Sequence, residues 1–186
     1  MLEWLSGGRH RHPRFRGKAS TVPAQLEGYV GETLFDVVAF KPLLPAQSRL
    51  LGLDLGTRTI GLALSDVTRM IASSMETIRR TKFKADAGRL LAIIEVHAIS
   101  GLVLGFPFNL DGTEGPRCQA TRAFARNVNQ LTPVPILMWD ERLTTAEAER
   151  MLIQADASRG RRAEVIDKVA ATIILQSALD RMGGMG

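Results

Sequence analysis

Two apolar runs, RLLGLD at 49–54 and IGLALS at 60–65, are separated by one short segment in which Gly56, Thr57, Arg58 and Thr59 supply a turn. Nothing else in the chain constrains the fold as much. Runs with so little polar alternation are strands buried on both faces. A connection this short pairs them antiparallel. The chain therefore builds a sheet that helices must cover on both sides. Asp54 closes the first run. A buried carboxylate without a partner is costly or gives up its charge, so the fold must supply something to meet it.

The pattern continues regularly. Residues 73–79 read as a third strand. Residues 85–97 have helical spacing through Leu90, Leu91 and Ile94. A fourth buried strand, SGLVLGF at 100–106, is closed by Pro107, and NLDGTEGP at 109–116 is a loop of turn formers. A helix is expected over 117–130 and a fifth strand over 133–138. Thr144 or Thr145 caps a helix over 146–155. A basic loop, DASRGRR at 156–162, then leads into a last helix over 164–182. A three-strand meander followed by alternating α and β implies an α/β fold with a mixed five-stranded sheet and helices on both faces.

The 186 residues suffice for one domain and an extension. Residues 1–20 carry five Lys or Arg against Glu3 alone. That arm reads as disordered, although an organellar transit peptide or an over-extended start has the same composition. ETLFDVVAF at 32–40 reads as a short helix or strand, and Pro42 and Pro45 place a linker near 41–48. The expected organisation is an extension and linker over 1–46, a domain over 47–183 and a tail over 184–186. No apolar run approaches the ~20 residues of a membrane span. A single cysteine, Cys118, excludes an internal disulfide framework and favours a reducing compartment such as the cytoplasm. A formal net charge of +5 permits contact with nucleic acid.

The acids carry the chemistry. Asp54 ends the first strand, and Asp140 and Glu141 follow the fifth. Ligands in such sheets sit at the carboxyl ends of the parallel strands. Asp167 lies on the last helix, in a stripe of small residues with Ala163, Ala170, Ala171 and Ala178 that lets the helix approach the sheet. Singly, each acid has a structural explanation: a turn bond for Asp54, a pairing with Arg142 for Asp140 or Glu141, and one with Arg161 or Arg162 for Asp167. Together they suggest one acidic pocket neutralised by a divalent cation. Oxygen donors and only three histidines favour Mg²⁺ or Mn²⁺ over Zn²⁺. Asp54, Asp140 and Asp167 are the candidate ligands, with Glu141 as a fourth catalytic acid. Arg58, Arg142, Thr144 and Arg161 are candidates for binding phosphate or orienting the acids. Glu114 is either another site acid or an acid at a helix start.

These residues resemble the YqgF-type family, described as Holliday-junction-resolvase-like proteins and pre-16S rRNA nucleases. The motifs are Leu51-Gly52-Leu53-Asp54-Leu55-Gly56 with Arg58, Ile60-Gly61-Leu62-Ala63 and Ser65-Asp66. They continue with Gly101-Leu102-Val103-Leu104-Gly105-Phe106-Pro107, Asp111-Gly112-Thr113-Glu114-Gly115, Asp140-Glu141-Arg142-Leu143-Thr144-Thr145 and Asp167-Lys168-Val169-Ala170-Ala171. They run in family order over 49–181. The resemblance implies an RNase H-like fold and a nuclease acting on structured nucleic acid, either precursor rRNA or branched DNA, as a monomer or homodimer without a membrane. It implies maturation of 16S rRNA in the bacterial cytoplasm, with Asp54, Asp140 or Glu141, and Asp167 at the acidic site. Related true resolvases place an acid at the end of the fourth strand, where this chain has Gly105-Phe106-Pro107. Glu114 or the Asp140-Glu141 pair must substitute. Two other classes remain: a nucleic-acid-binding factor that does not cut, and an ATP-using protein of the actin and sugar-kinase kind. The latter needs two such domains, and this chain has room for one.

Overall fold

The computed structural model describes residues 31–143 and 159–184, with side chains over 31–142 and 169–184. In chain order the elements are β1 (Thr33–Leu34), α1 (Val37–Phe40), a 3₁₀ turn (Lys41–Leu43), β2 (Arg49–Leu55), β3 (Thr59–Ser65) and β4 (Ala72–Arg79). There follow α2 (Phe83–Val96), β5 (Ile99–Phe106), α3 (Pro116–Asn129), β6 (Ile136–Asp140), a second 3₁₀ turn (Glu141–Leu143) and α4 (Arg159–Gly183). The expected helix over 146–155, Thr144 and the arm over 1–30 lie outside the described residues.

The two opening apolar runs pair antiparallel, with Leu51 opposite Leu64 and Leu55 opposite Ile60. β4 adds to β3, again antiparallel. β5 pairs parallel with β2 and β6 parallel with β5, giving the order β1-β6-β5-β2-β3-β4. β3 alone runs against the others, which is the RNase H-like arrangement. All eight residues of β5 are buried, as its unbroken apolar run requires.

Strand alternation sorts the core into two layers. Leu51, Leu53, Leu102, Leu104, Ile136 and Met138 face Leu90, Ile93, Phe124 and Val128 of α2 and α3. Leu50, Val103, Leu137 and Trp139 face α1 and α4 through Val37, Phe40, Ala171, Ile174, Leu175 and Ala178. α4 touches the sheet at Gly52, where an added Cβ would lie 2.6 Å from Leu175 Cβ and 2.9 Å from the Ala171 carbonyl. Its far end receives a hydrogen bond from Lys41 Nζ at the Met182 carbonyl, 2.9 Å away. The helix therefore runs antiparallel to β2, and its earlier turns head toward the carboxyl edge of the sheet.

Three expectations change. Among the described residues the sheet has six strands, not five, because Thr33 and Leu34 pair parallel with Ile136 and Leu137. Two residues are too few for periodicity to reveal; only an existing edge at β6 makes them a strand. Residues 33–44, placed on the linker side of the expected boundary, pack into the core: Phe40 is fully buried, and Val37 and Leu44 nearly so. Asp36 starts α1 by accepting the Val38 amide at 2.8 Å. Finally, α4 begins at Arg159 rather than at 164, so Arg161 lies in a helix rather than in a basic loop. Its side chain lies outside the described residues. Among the described residues, no helix is long and apolar enough to cross a membrane.

Candidate active site

Parity along parallel strands decides which acids meet. Gly52 is level with Val103, and Gly105 with Trp139. Asp54, two residues past Gly52, therefore comes level with Gly105 on the α4 face. Glu141, the first residue of the 3₁₀ turn after β6, lies over the same face. A Cβ added at Gly105 would lie 2.6 Å from Glu141 Oε1 and 2.6 Å from Ile174 Cδ1. The glycine thus leaves a recess at the end of β5, and the Glu141 carboxylate occupies it. Of the two substitutes open from sequence, Glu141 lies there.

Glu141 is largely withdrawn from water. Burial first, then the charges of Asp54 and Asp140, push its carboxyl up to about 7, while Arg117 opposes the rise. Two carboxylates in one recess repel when both are ionised. Arg117 begins the first turn of α3, behind Pro116, which brings it to the same edge. Sequence reasoning misses this residue. Its signal is its place one residue into a helix that follows a strand's carboxyl end.

Asp140 falls on the opposite parity, level with Phe106. It is clamped by Arg142, whose Nε and Nη2 donate at 3.0 and 2.6 Å and whose backbone N–H donates at 3.0 Å. Those bonds hold its carboxyl below the usual range. The Arg142 guanidinium also lies 5.1 Å from the Phe108 ring. It sits beneath the tip of the 107–115 loop, 3.2 Å from where a Gly112 Cβ would be. Gly112 takes a φ of +83°, which suits a residue without a side chain. Asp111 caps this loop by accepting from the Thr113 amide at 2.9 Å. Glu114 is exposed and paired with Arg122, which keeps its carboxyl below the usual range. Arg142 and Glu114 thus anchor the loop from either side. Asp66 accepts three backbone amides in the β3–β4 turn.

The helix backbone places residue 167 one turn before Ala171, about 6 Å further along the axis toward the carboxyl edge. Its side chain lies outside the described residues. Arg58 is exposed in the β2–β3 turn, with its carbonyl accepting the Arg80 amide at 2.8 Å. Among the described residues, no three His, Cys, Asp or Glu side chains are grouped closely enough to hold an ion by themselves. Asp54 and Glu141 form a pair. The donor set is all oxygen, crowded and partly desolvated, which suits a hard divalent cation once a further carboxylate joins.

A family model described as "RuvX: Holliday junction resolvase" matches residues 48–181. The chain belongs to the RuvX family. Among the relatives of this RuvX-family chain, a "Putative pre-16S rRNA nuclease" of Paracoccus denitrificans is 59% identical over 151 residues, covering 81% of this chain and 96% of the relative. A protein of the same name from Ruegeria pomeroyi is 60% identical over 146 residues, covering 78% and 95%. Among solved structures, Thermus thermophilus RuvC in complex with a Holliday junction substrate aligns with a TM-score of 0.47 at 16% identity, over 73% of this chain and 96% of that one.

Proposed function

We propose that this RuvX-family chain is a divalent-cation-dependent nuclease that hydrolyses phosphodiester bonds in the 16S rRNA precursor, in the cytoplasm. The observation that carries the reading is the Glu141 carboxylate seated over Gly105 beside Asp54, at the carboxyl edge of the sheet. The names of the relatives support the substrate.

In this reading Asp54 and Glu141 hold a Mg²⁺ or Mn²⁺ ion, with Asp167 brought to the same edge by α4. Such an ion supplies an activated water and offsets the charge that develops on the phosphate. The chain's own residues do the rest. Arg117 and Arg58 bind the substrate phosphates from α3 and the β2–β3 turn. Arg142 is engaged by Asp140 and sets the position of the 107–115 loop over the strand. Thr144 and Arg161 keep the phosphate-binding role that the sequence suggests for them. One protomer supplies every residue named, so the reading holds for a monomer or a homodimer alike.

The test is cleavage of precursor 16S rRNA and of a four-way DNA junction, with Mg²⁺, with Mn²⁺ and with chelator. Wild type cuts the RNA only when a divalent cation is present, and Asp54→Asn loses cleavage while keeping binding. A wild type that cuts neither substrate with either metal makes the chain a binding factor instead. The two neighbouring acids should separate sharply. Glu141→Gln lowers the cleavage rate at least about 100-fold, the scale of losing one group that stabilises developing charge. Asp140→Asn, which loosens only the Arg142 clamp, costs less than about tenfold. The reverse ranking assigns the site to Asp140.

A further inference from the structure

Beyond the acid pair, the β1 side of the sheet carries a cleft that hydrolysis does not use. It lies between β1 and α3, has a volume of about 510 Å³, and is lined by Phe35, Arg122, Arg126, Gln130 and Met138, among others. That volume is within the roughly 300–1,000 Å³ of ordinary ligand clefts.

Its walls are specific in character. Phe35, in the bend after β1, is 46% exposed. Its ring is held edge-on against Phe106, with centroids 5.1 Å apart. Arg122 and Arg126 stand one turn apart on the same face of α3. The Arg122 guanidinium is 4.9 Å from the rings of both Phe35 and Phe106 and pairs with Glu114. Arg126 is exposed and makes no ion pair among the described residues. Met138 supplies an apolar floor. Phe106, which braces the Phe35 ring, lies on the α3 side of β5, one residue along from Gly105, whose α4 side holds the Glu141 carboxylate.

A fixed, half-open aromatic ring beside an uncommitted cation suits a base with its phosphate. A base inside a duplex has both faces covered by its neighbours and cannot lie on such a ring; an unpaired base can. We propose that the β1–α3 cleft holds an unpaired nucleotide of the strand being cut, its base against Phe35 and its phosphate on Arg126. This deepens the nuclease reading and rests on it. Arg122 is a positioning residue that keeps the Phe35 ring and the 107–115 loop in register. The consequence is a substrate preference: a strand with an unpaired stretch, rather than a fully paired junction.

The experiment measures fluorescence anisotropy of the full chain with chelator present. The probes are a short labelled unpaired oligonucleotide and a blunt duplex of equal length. Phe35→Ala weakens binding of the unpaired strand roughly 5- to 100-fold, the range of one base–aromatic stack, and Phe35→Trp restores it. Arg126→Gln, a surface change that leaves the core intact, lowers the slope of log affinity against log salt by about 0.7, the release expected for one single-strand phosphate. Duplex binding changes less than about twofold in every variant. Equal losses on both probes, wild-type affinity in all variants, or no wild-type binding of the unpaired strand overturns the proposal. Cleavage with no discrimination between probes removes the cleft and keeps the nuclease. Discrimination without cleavage under any divalent cation removes the nuclease and keeps the cleft as a binding site.

Discussion

At the scale of single residues, the site turns on the step from Asp140 to Glu141. Adjacent in sequence, they emerge on opposite sides of the sheet, and only Glu141 shares the recess with Asp54. The cost of that placement is expected in the pH dependence of stability. The carboxyl of Glu141 sits at about 7 in the fold, above the ~4.3 of a free glutamate. Below the lower value it is protonated in both states and contributes no difference. As pH rises through the window between them, the folded state must give up a proton it holds more tightly than the unfolded chain does. Folding stability is therefore expected to fall from about pH 4.5 to pH 7, by at most about 4 kcal/mol. Glu141→Gln removes that penalty. In chelator at pH 8 its melting temperature should exceed wild type by several degrees, and at pH 4 the two should coincide. A variant no more stable than wild type at pH 8 would show that the carboxylate is already well solvated or paired.

At the scale of elements, two glycines set the approach of neighbouring groups. Gly105 leaves room for Glu141, and Gly52 lets α4 rest directly on β2. The atoms above Gly52 are the Leu175 Cβ and a helix carbonyl, neither of which can rotate away. Gly52→Ala must therefore lift α4 or shift β2, at about 1–3 kcal/mol by the usual cost of overpacking. Urea unfolding measures this. Because α4 also carries residue 167, cleavage should fall in the same variant under conditions where it remains folded. Unchanged stability would mean that the helix has slack at this crossing. The loop over 107–115 illustrates the opposite case: charged side chains from two elements, Arg142 and Arg122, hold it from outside.

For the whole molecule, the question is where the folding unit begins. Val37, Phe40 and Leu44 close the α4-side core ahead of the first long strand. Burying a side chain of this kind contributes about 1.5–3 kcal/mol, so removing all three costs on the order of 5 kcal/mol or more. That approaches the whole stability of an ordinary domain. We predict that a chain starting at residue 31 melts cooperatively, while one starting at residue 47 is unfolded or insoluble by circular dichroism and size-exclusion chromatography. Equal melting of the two would make residues 33–44 an accessory to the domain rather than part of it.

The local pattern determined much of this protein. The apolar runs at 49–65 and 100–106 announce a buried sheet, because strands without alternation have nowhere else to go. The positions of Asp54 and of the Asp140-Glu141 pair at strand ends announce an acidic edge. Several things were beyond its reach. The two residues of β1 have no periodicity of their own and become a strand only beside β6. The choice between Asp140 and Glu141 depends on β6 ending at Asp140 and on the 3₁₀ turn that then carries Glu141 over Gly105. The filling of Gly105's recess by Glu141 and the approach of Arg117 join residues from separate segments. Such contacts arise when elements pack across a sheet, and the physical cause is register and proximity in space, which no run of sequence encodes by itself.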